Sequence, residues 1–133
     1  MNQAQRNKYV ETTIQTATPA QMLIMLYDGA IRFSRAALEA IQQQNHQEVH
    51  NNLIKVQDII SEFTITLDRS SPMAKGLMQL YEYFLFRLRE ANIKKQAEPI
   101  QEVLGYLIEL KEVWIEAGKK VNAQQKTAAA SNS

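Results

Sequence analysis

The chain has 133 residues, 45% of them apolar, with 15 basic and 14 acidic side chains for a formal net charge of +1; that is enough for one domain with its own core. It has no cysteine, which excludes disulfides, thiol chemistry and thiolate zinc sites and suits a reducing compartment. The charges are interspersed, without the basic stripe that nucleic acid requires, so no nucleic-acid partner is expected.

No apolar run approaches the roughly 20 residues of a membrane span, so no membrane insertion is expected. The opening Met1-Asn2-Gln3-Ala4-Gln5-Arg6-Asn7-Lys8 lacks an apolar signal core, and the expected location is the cytoplasm. Only four Gly and three Pro are present, and apolar residues recur at helical rather than alternating spacing. The expected fold class is all-α.

Residues 1–17 read as a polar leader with three apolar anchors, Tyr9, Val10 and Ile14. Thr18-Pro19-Ala20-Gln21 then marks a helix start: a Thr N-cap, Pro at the first helical position and Gln to close a capping box. The first helix should run from about Pro19 to Gln43. Its main seam is Leu23, Leu26, Ala30, Phe33, Ala37 and Ala40/Ile41, with a second stripe of Ile24, Tyr27, Ile31 and Leu38 beside it. Asp28–Arg32 and Arg35–Glu39 are spaced to support this helix as i,i+4 pairs. Gly29 inside it costs about 1 kcal/mol relative to Ala. It marks either close helix packing or backbone that must approach a ligand.

The second helix should span about His46 to Asp68, with a seam of Val49, Leu53, Val56, Ile60, Phe63 and Leu67; Ile54, Ile59 and Ile65 lie off it. Ser71 and Pro72 predict the start of the third helix, running to Lys94 with Met73, Leu77, Leu80, Phe84, Leu88 and Ala91 in its seam. The run Tyr81-Glu82-Tyr83-Phe84-Leu85-Phe86 is apolar nearly all round, so this helix is expected to be the most central. Tyr81 and Tyr83 face different sides, and at least one should reach the surface or a groove. The fourth helix should run from about Ala97 to Val121 through Ile100, Val103, Leu107, Leu110, Trp114, Ala117 and Val121, with Trp114 in the core. Leu104, Ile108 and Ile115 form its second stripe. Residues 122–133 are small and polar and are expected to be a disordered tail. Short breaks between long helices predict an antiparallel up-down-up-down four-helix bundle over residues 18–121.

Catalytic chemistry finds no support. His46 and His50 stand at i,i+4, but Glu48 is misplaced for a zinc-protease motif and no glutamate precedes either histidine by three residues, as a di-iron site would need. No metal, cofactor or catalytic residue is assigned, and the chain reads as a non-enzyme. The surplus apolar stripes carry more weight: they point to grooves that accept apolar side chains from another chain or from residues 1–17. The candidate partner-binding residues are Tyr9, Val10 and Ile14 in the leader, then Ile24, Tyr27, Ile54, Ile65, Tyr81, Leu104, Ile108 and Ile115. The alternative reading is self-association into a helical homodimer with a structural or adaptor role.

Four blocks of residues resemble one family. They are Tyr9 with its following anchors; Thr16-Ala17-Thr18-Pro19 with Leu23 and Met25-Leu26-Tyr27-Asp28-Gly29-Ala30-Ile31; Leu67-Asp68 with Leu77, Leu80-Tyr81 and Tyr83; and Ala91-Asn92 with Glu102-Val103, Leu107, Glu109-Leu110 and Trp114. In order and spacing these resemble the flagellar secretion chaperone FliS family over residues 9–117. The resemblance implies a cytoplasmic bacterial four-helix protein that binds the disordered C-terminal segment of flagellin. Such a protein prevents premature polymerisation and supports delivery to the flagellar type III export apparatus, with an export-gate component as a further partner. It also implies that the client wraps the bundle in apolar grooves and that Tyr9 and Ile14 are leader anchors able to gate them.

Overall fold

A computed structural model describes residues 18–131, and these are all helix and connecting turn. Helix α1 spans Pro19–Gln42, α2 His46–Thr66, α3 Ala74–Lys94 and α4 Ala97–Ser131. The capping box at the start of α1 is formed: the Gln21 backbone N–H donates to Thr18 Oγ1 at 3.1 Å, and the Thr18 N–H donates to Gln21 Oε1 at 2.9 Å. The chain leaves α1 through Gln44, whose φ of 57° is left-handed. Asn45 then caps α2 by accepting from the Glu48 N–H at 3.2 Å.

The second break differs slightly from expectation. Helix α2 ends at Thr66 because Leu67 is extended, and Asp68 Oδ1 gathers both the N–H and the hydroxyl of Ser70. Ser71 does not cap a helix at Pro72. Its hydroxyl accepts from the Met73 N–H inside a turn, and α3 starts at Ala74. The largest difference is at the far end. Helix α4 does not stop near Val121 but continues to Ser131, where a disordered tail was expected. Small polar composition pointed to disorder, but Ala, Gln and Lys propagate a helix well, and neither Gly nor Pro follows Gly118. Residues 121–128 are all exposed.

Each helix packs on two neighbours: α1 on α2 and α4, and α3 on α2 and α4. Helix α3 is therefore not the central element. Its Phe86 is 62% exposed and its Tyr83 is also at the surface. The α2 seam is buried as the spacing predicts, through Val49, Leu53, Val56, Ile60 and Phe63. On α1 the core is shifted: Tyr27, Ala30, Ile31, Ser34, Ala37 and Ala40 are buried, while Leu23, Leu26 and Phe33 are only partly so. Gly29 is explained by packing, since a Cβ there would sit 3.3 Å from Ile59 Cδ1 on α2. The expected Asp28–Arg32 support gives way to a cross-helix pair in which Lys111 of α4 lies 2.5 Å from Asp28.

Aromatic rings tie the core together. Tyr27 stacks on Phe63 at 4.5 Å between centroids, Phe63 meets Tyr81 at 5.4 Å, and Tyr81 meets Phe84 at 6.3 Å. The Tyr27 hydroxyl is the hub of a polar network: it lies 2.8 Å from the Tyr81 hydroxyl and accepts from Trp114 Nε1–H at 3.1 Å. Burial holds the pKa of both tyrosines above its ordinary value, because desolvation opposes the phenolate.

Candidate functional site

Where α1 begins, its first two turns and the later turns of α4 leave an open groove of about 1000 Å³. The α1 wall carries Leu23, Ile24 and Met25; the α4 wall carries Trp114, Ile115 and Val121. The sequence dictates this opening. Leu23 and Trp114 belong to the main seams, but at this end of the pair small residues, Ala20, Ala117 and Gly118, stand where bulk would be needed to close it. Trp114 joins groove and core, since its ring lines the groove while its N–H is held by buried Tyr27. Thr18 lies on the rim, so the leader joins the described structure at the groove itself.

The structure sorts the sequence-derived candidates into several groups. Ile24 and Ile115 come together on opposite walls of the groove. Ile108 lies further along the same α1–α4 seam, in a smaller hollow of about 280 Å³ with Asp28, Arg35 and Lys111, and Leu104 is partly buried against the core. Ile54 and Ile65 are exposed on α2, the latter 74%, and do not join this groove. Tyr27 and Tyr81 require correction. Both are sealed in the core at 0% and 2% exposure, so neither offers a surface to a partner. Their hydroxyls satisfy each other, which let two polar-tipped rings go fully inside. Tyr9, Val10 and Ile14 lie outside the described residues.

Sequence reasoning missed Leu23, Trp114 and Val121 as groove residues, because seam position alone assigns them to the core, and it missed Met25, which lies on neither apolar stripe of α1. The signal that finds them is the pairing of α1's first turns with small residues near the end of α4. The histidines stand elsewhere: both are exposed on α2, and His50 Nδ1 is 2.9 Å from Asn92 Nδ2. Among the described residues no three His, Cys, Asp or Glu are grouped to hold a metal ion, and no helix is long and apolar enough to cross a membrane.

A mostly apolar groove at the head of a helical body is a binding feature, and comparison with known proteins says in which family it sits. The sequence pattern of the family described as flagellar protein FliS matches residues 1–121. The chain belongs to the FliS family. A FliS relative from Bacillus subtilis (strain 168), a flagellar secretion chaperone, is 36% identical over 109 residues, covering 82% of each chain. Flagellar secretion chaperone FliS of Salmonella typhimurium is 29% identical over 119 residues, covering 87% of this chain and 88% of its own. The Escherichia coli K12 protein of the same name is 28% identical over 111 residues, covering 81% and 82%. The FliS match includes both groove walls as far as Val121 and leaves out the exposed end of α4.

Proposed function

We propose that this chain is a cytoplasmic export chaperone for flagellin. It binds the disordered C-terminal segment of its client, prevents premature polymerisation and supports delivery to the flagellar type III export apparatus, with an export-gate component as a further partner. The observation that carries this reading is the open apolar groove between α1 and α4 in a member of a family whose relatives are named flagellar secretion chaperones. A polymer-forming client has amphipathic ends that must be covered. A groove lined by Leu, Ile, Met and Trp gives apolar contact without chemical modification, and the client loses entropy only when it folds onto the groove.

The reading takes residues 1–17 as an arm and 18–121 as the body. It also takes the helices as an antiparallel bundle, which the register of cross-helix contacts supports: Tyr27 meets Phe63, and Phe33 lies against Lys55. Likewise His50 meets Asn92, and Tyr83 meets Glu102. Ile24, Leu104, Ile108 and Ile115 form a line of client contacts along the α1–α4 seam, with Ile54 and Ile65 serving a second stretch of a wrapping client. We take Tyr9 and Ile14 as anchors that cover the groove when no client is present, a reading supported by Thr18, where residues 1–17 connect, lying on its rim.

The test is a titration with a flagellin C-terminal peptide that lacks tryptophan. Because Trp114 is the only tryptophan and lines the groove, binding should change its emission. Calorimetry should give a 1:1 complex with a negative heat-capacity change. No binding at micromolar concentration refutes the proposal. Homodimerisation through the exposed α2 and α3 residues is the competing reading, and sedimentation that rises with concentration would favour it.

A further inference from the structure

We propose, on the reading that this chain is a flagellin chaperone, that the small hollow beside the groove holds the client's C-terminal carboxylate. The client's last helix then lies parallel to α1 and ends on Arg32 and Arg35. By spacing alone both arginines should be neutralised within α1, Arg32 by Asp28 and Arg35 by Glu39. The fold undoes both pairs. Asp28 turns to Lys111 of α4 at 2.5 Å, and Glu39 Oε1 accepts from Gln43 Nε2 at 3.1 Å. Neither arginine then has an ion-pair partner among the described residues. The Arg32 guanidinium lies 5.0 Å from the centre of the Phe33 ring, a contact that holds it in place without cancelling its charge.

The two free cations are brought together. Arg32 and Arg35 are three residues apart, hence neighbours on one face of α1, and both line the hollow of about 280 Å³. Lys111 and Asp28 share that lining, so three cations stand there against one carboxylate, with Ile31 and Ile108 as the apolar part. A carboxylate entering the hollow accepts charge-assisted hydrogen bonds from both guanidinium groups, in the paired geometry that arginine offers. An uncharged chain laid over the same place would take water from two cations and give them no partner.

The direction of the client follows from distance and dipole. Arg32 and Arg35 come eight and eleven residues after Ile24, about 12–17 Å along α1 at 1.5 Å per residue. A client helix anchored by apolar side chains between Ile24 and Ile115 therefore reaches the arginines after two to three of its own turns. A helix carries unpaired carbonyls and partial negative charge at its C-terminus, and unpaired N–H groups and partial positive charge at its N-terminus. Only its C-terminal end suits two free cations, and where the chain also stops there, the α-carboxylate adds a full charge.

The experiment uses the full chain and one flagellin C-terminal peptide lacking tryptophan, prepared as the free acid and as the C-terminal amide. Each is titrated against Trp114 emission. The acid should bind about tenfold tighter than the amide, and the gap should narrow as salt rises. Arg32→Gln with Arg35→Gln, both at exposed positions, should weaken the acid about tenfold, leave the amide unchanged and so close the gap. Arg35→Gln alone should close part of it. Equal binding of acid and amide to the unaltered chain overturns the carboxylate assignment and leaves the chaperone reading standing. A gap that persists in the double variant puts the carboxylate elsewhere and also overturns it. Equal weakening of both peptides by the double variant would place a side-chain carboxylate of the client in the hollow, against the proposal. Failure of either form to bind the unaltered chain refutes the chaperone reading and this proposal with it.

Discussion

Replacing Tyr27 by Phe should destabilise the protein far more than replacing Tyr81 by Phe, although the two hydroxyls bond to each other. Three donors meet in this network, Trp114 N–H, Tyr27 O–H and Tyr81 O–H, and they make two hydrogen bonds. Both bonds pass through the Tyr27 oxygen. Tyr27→Phe therefore loses both: about 1 kcal/mol for the Trp114 bond, whose N–H can partly turn to water, and about 1–3 kcal/mol for a Tyr81 hydroxyl stranded in the core. The sum is about 2–4 kcal/mol. Tyr81→Phe loses one bond but also removes a buried hydroxyl, while Tyr27 keeps its bond from Trp114. Its cost should be about 0–1.5 kcal/mol. In a chain of this size about 1 kcal/mol moves Tm by roughly 4 °C, so Tyr27→Phe should lower it by roughly 8–16 °C and Tyr81→Phe by under about 6 °C. The double variant should cost less than the sum, because the stranded Tyr81 hydroxyl is gone. Urea unfolding followed by circular dichroism at constant m-value measures all three. Equal losses, or the larger loss at Tyr81, would refute the hub assignment.

Stability should fall as pH rises above about 10. Both buried tyrosines have raised pKa values in the fold, so above their ordinary value the unfolded chain releases protons that the native chain retains. The urea midpoint between pH 9 and 11.5 tests this, and Tyr27→Phe/Tyr81→Phe should flatten the slope. Ser34→Ala should hold or raise stability by up to about 1 kcal/mol, because Ser34 Oγ is buried without a partner among the described residues; thermal melts decide the sign. Gly105→Ala should add about 0.5–1 kcal/mol, since a Cβ there meets nothing within 4 Å. Thr18→Ala should cost about 1 kcal/mol by opening the capping box, visible as faster amide exchange in the first turn of α1.

The seams were legible where one polarity pattern admits one face. Helix α2 alternates spacings of three and four without ambiguity, and its seam residues from Val49 to Phe63 are buried, while Leu67 falls past the helix end and is only partly so. Helix α1 has apolar residues on two adjacent stripes, so periodicity alone could not choose between them. The buried face passes through Ser34, a residue that hydrophobic pattern reading discounts. Tyr27 and Tyr81 read as partner-binding candidates because their pairing is not visible in the pattern. A single sequence shows two polar-tipped rings, and only the fold shows that the tips reach each other. The groove was half legible: Ile24 and Ile115 stood out as surplus. Leu23 and Trp114 did not, because a seam residue is core only where both helices still have bulk to offer.

The exposed end of α4 has a consequence for how unfolding should be read. Beyond Val121 the helix has its nucleus supplied by the body, so it grows without the cost of initiation, and its exposed residues 123–127 depend on propagation, which weakens with heat. It should melt gradually from its C-terminal side. Helicity recorded in the far ultraviolet would then decline before Trp114 emission reports loss of the packed body. That divergence between probes would signify end fraying rather than a populated folding intermediate, and the emission curve is the one that measures the body's cooperativity.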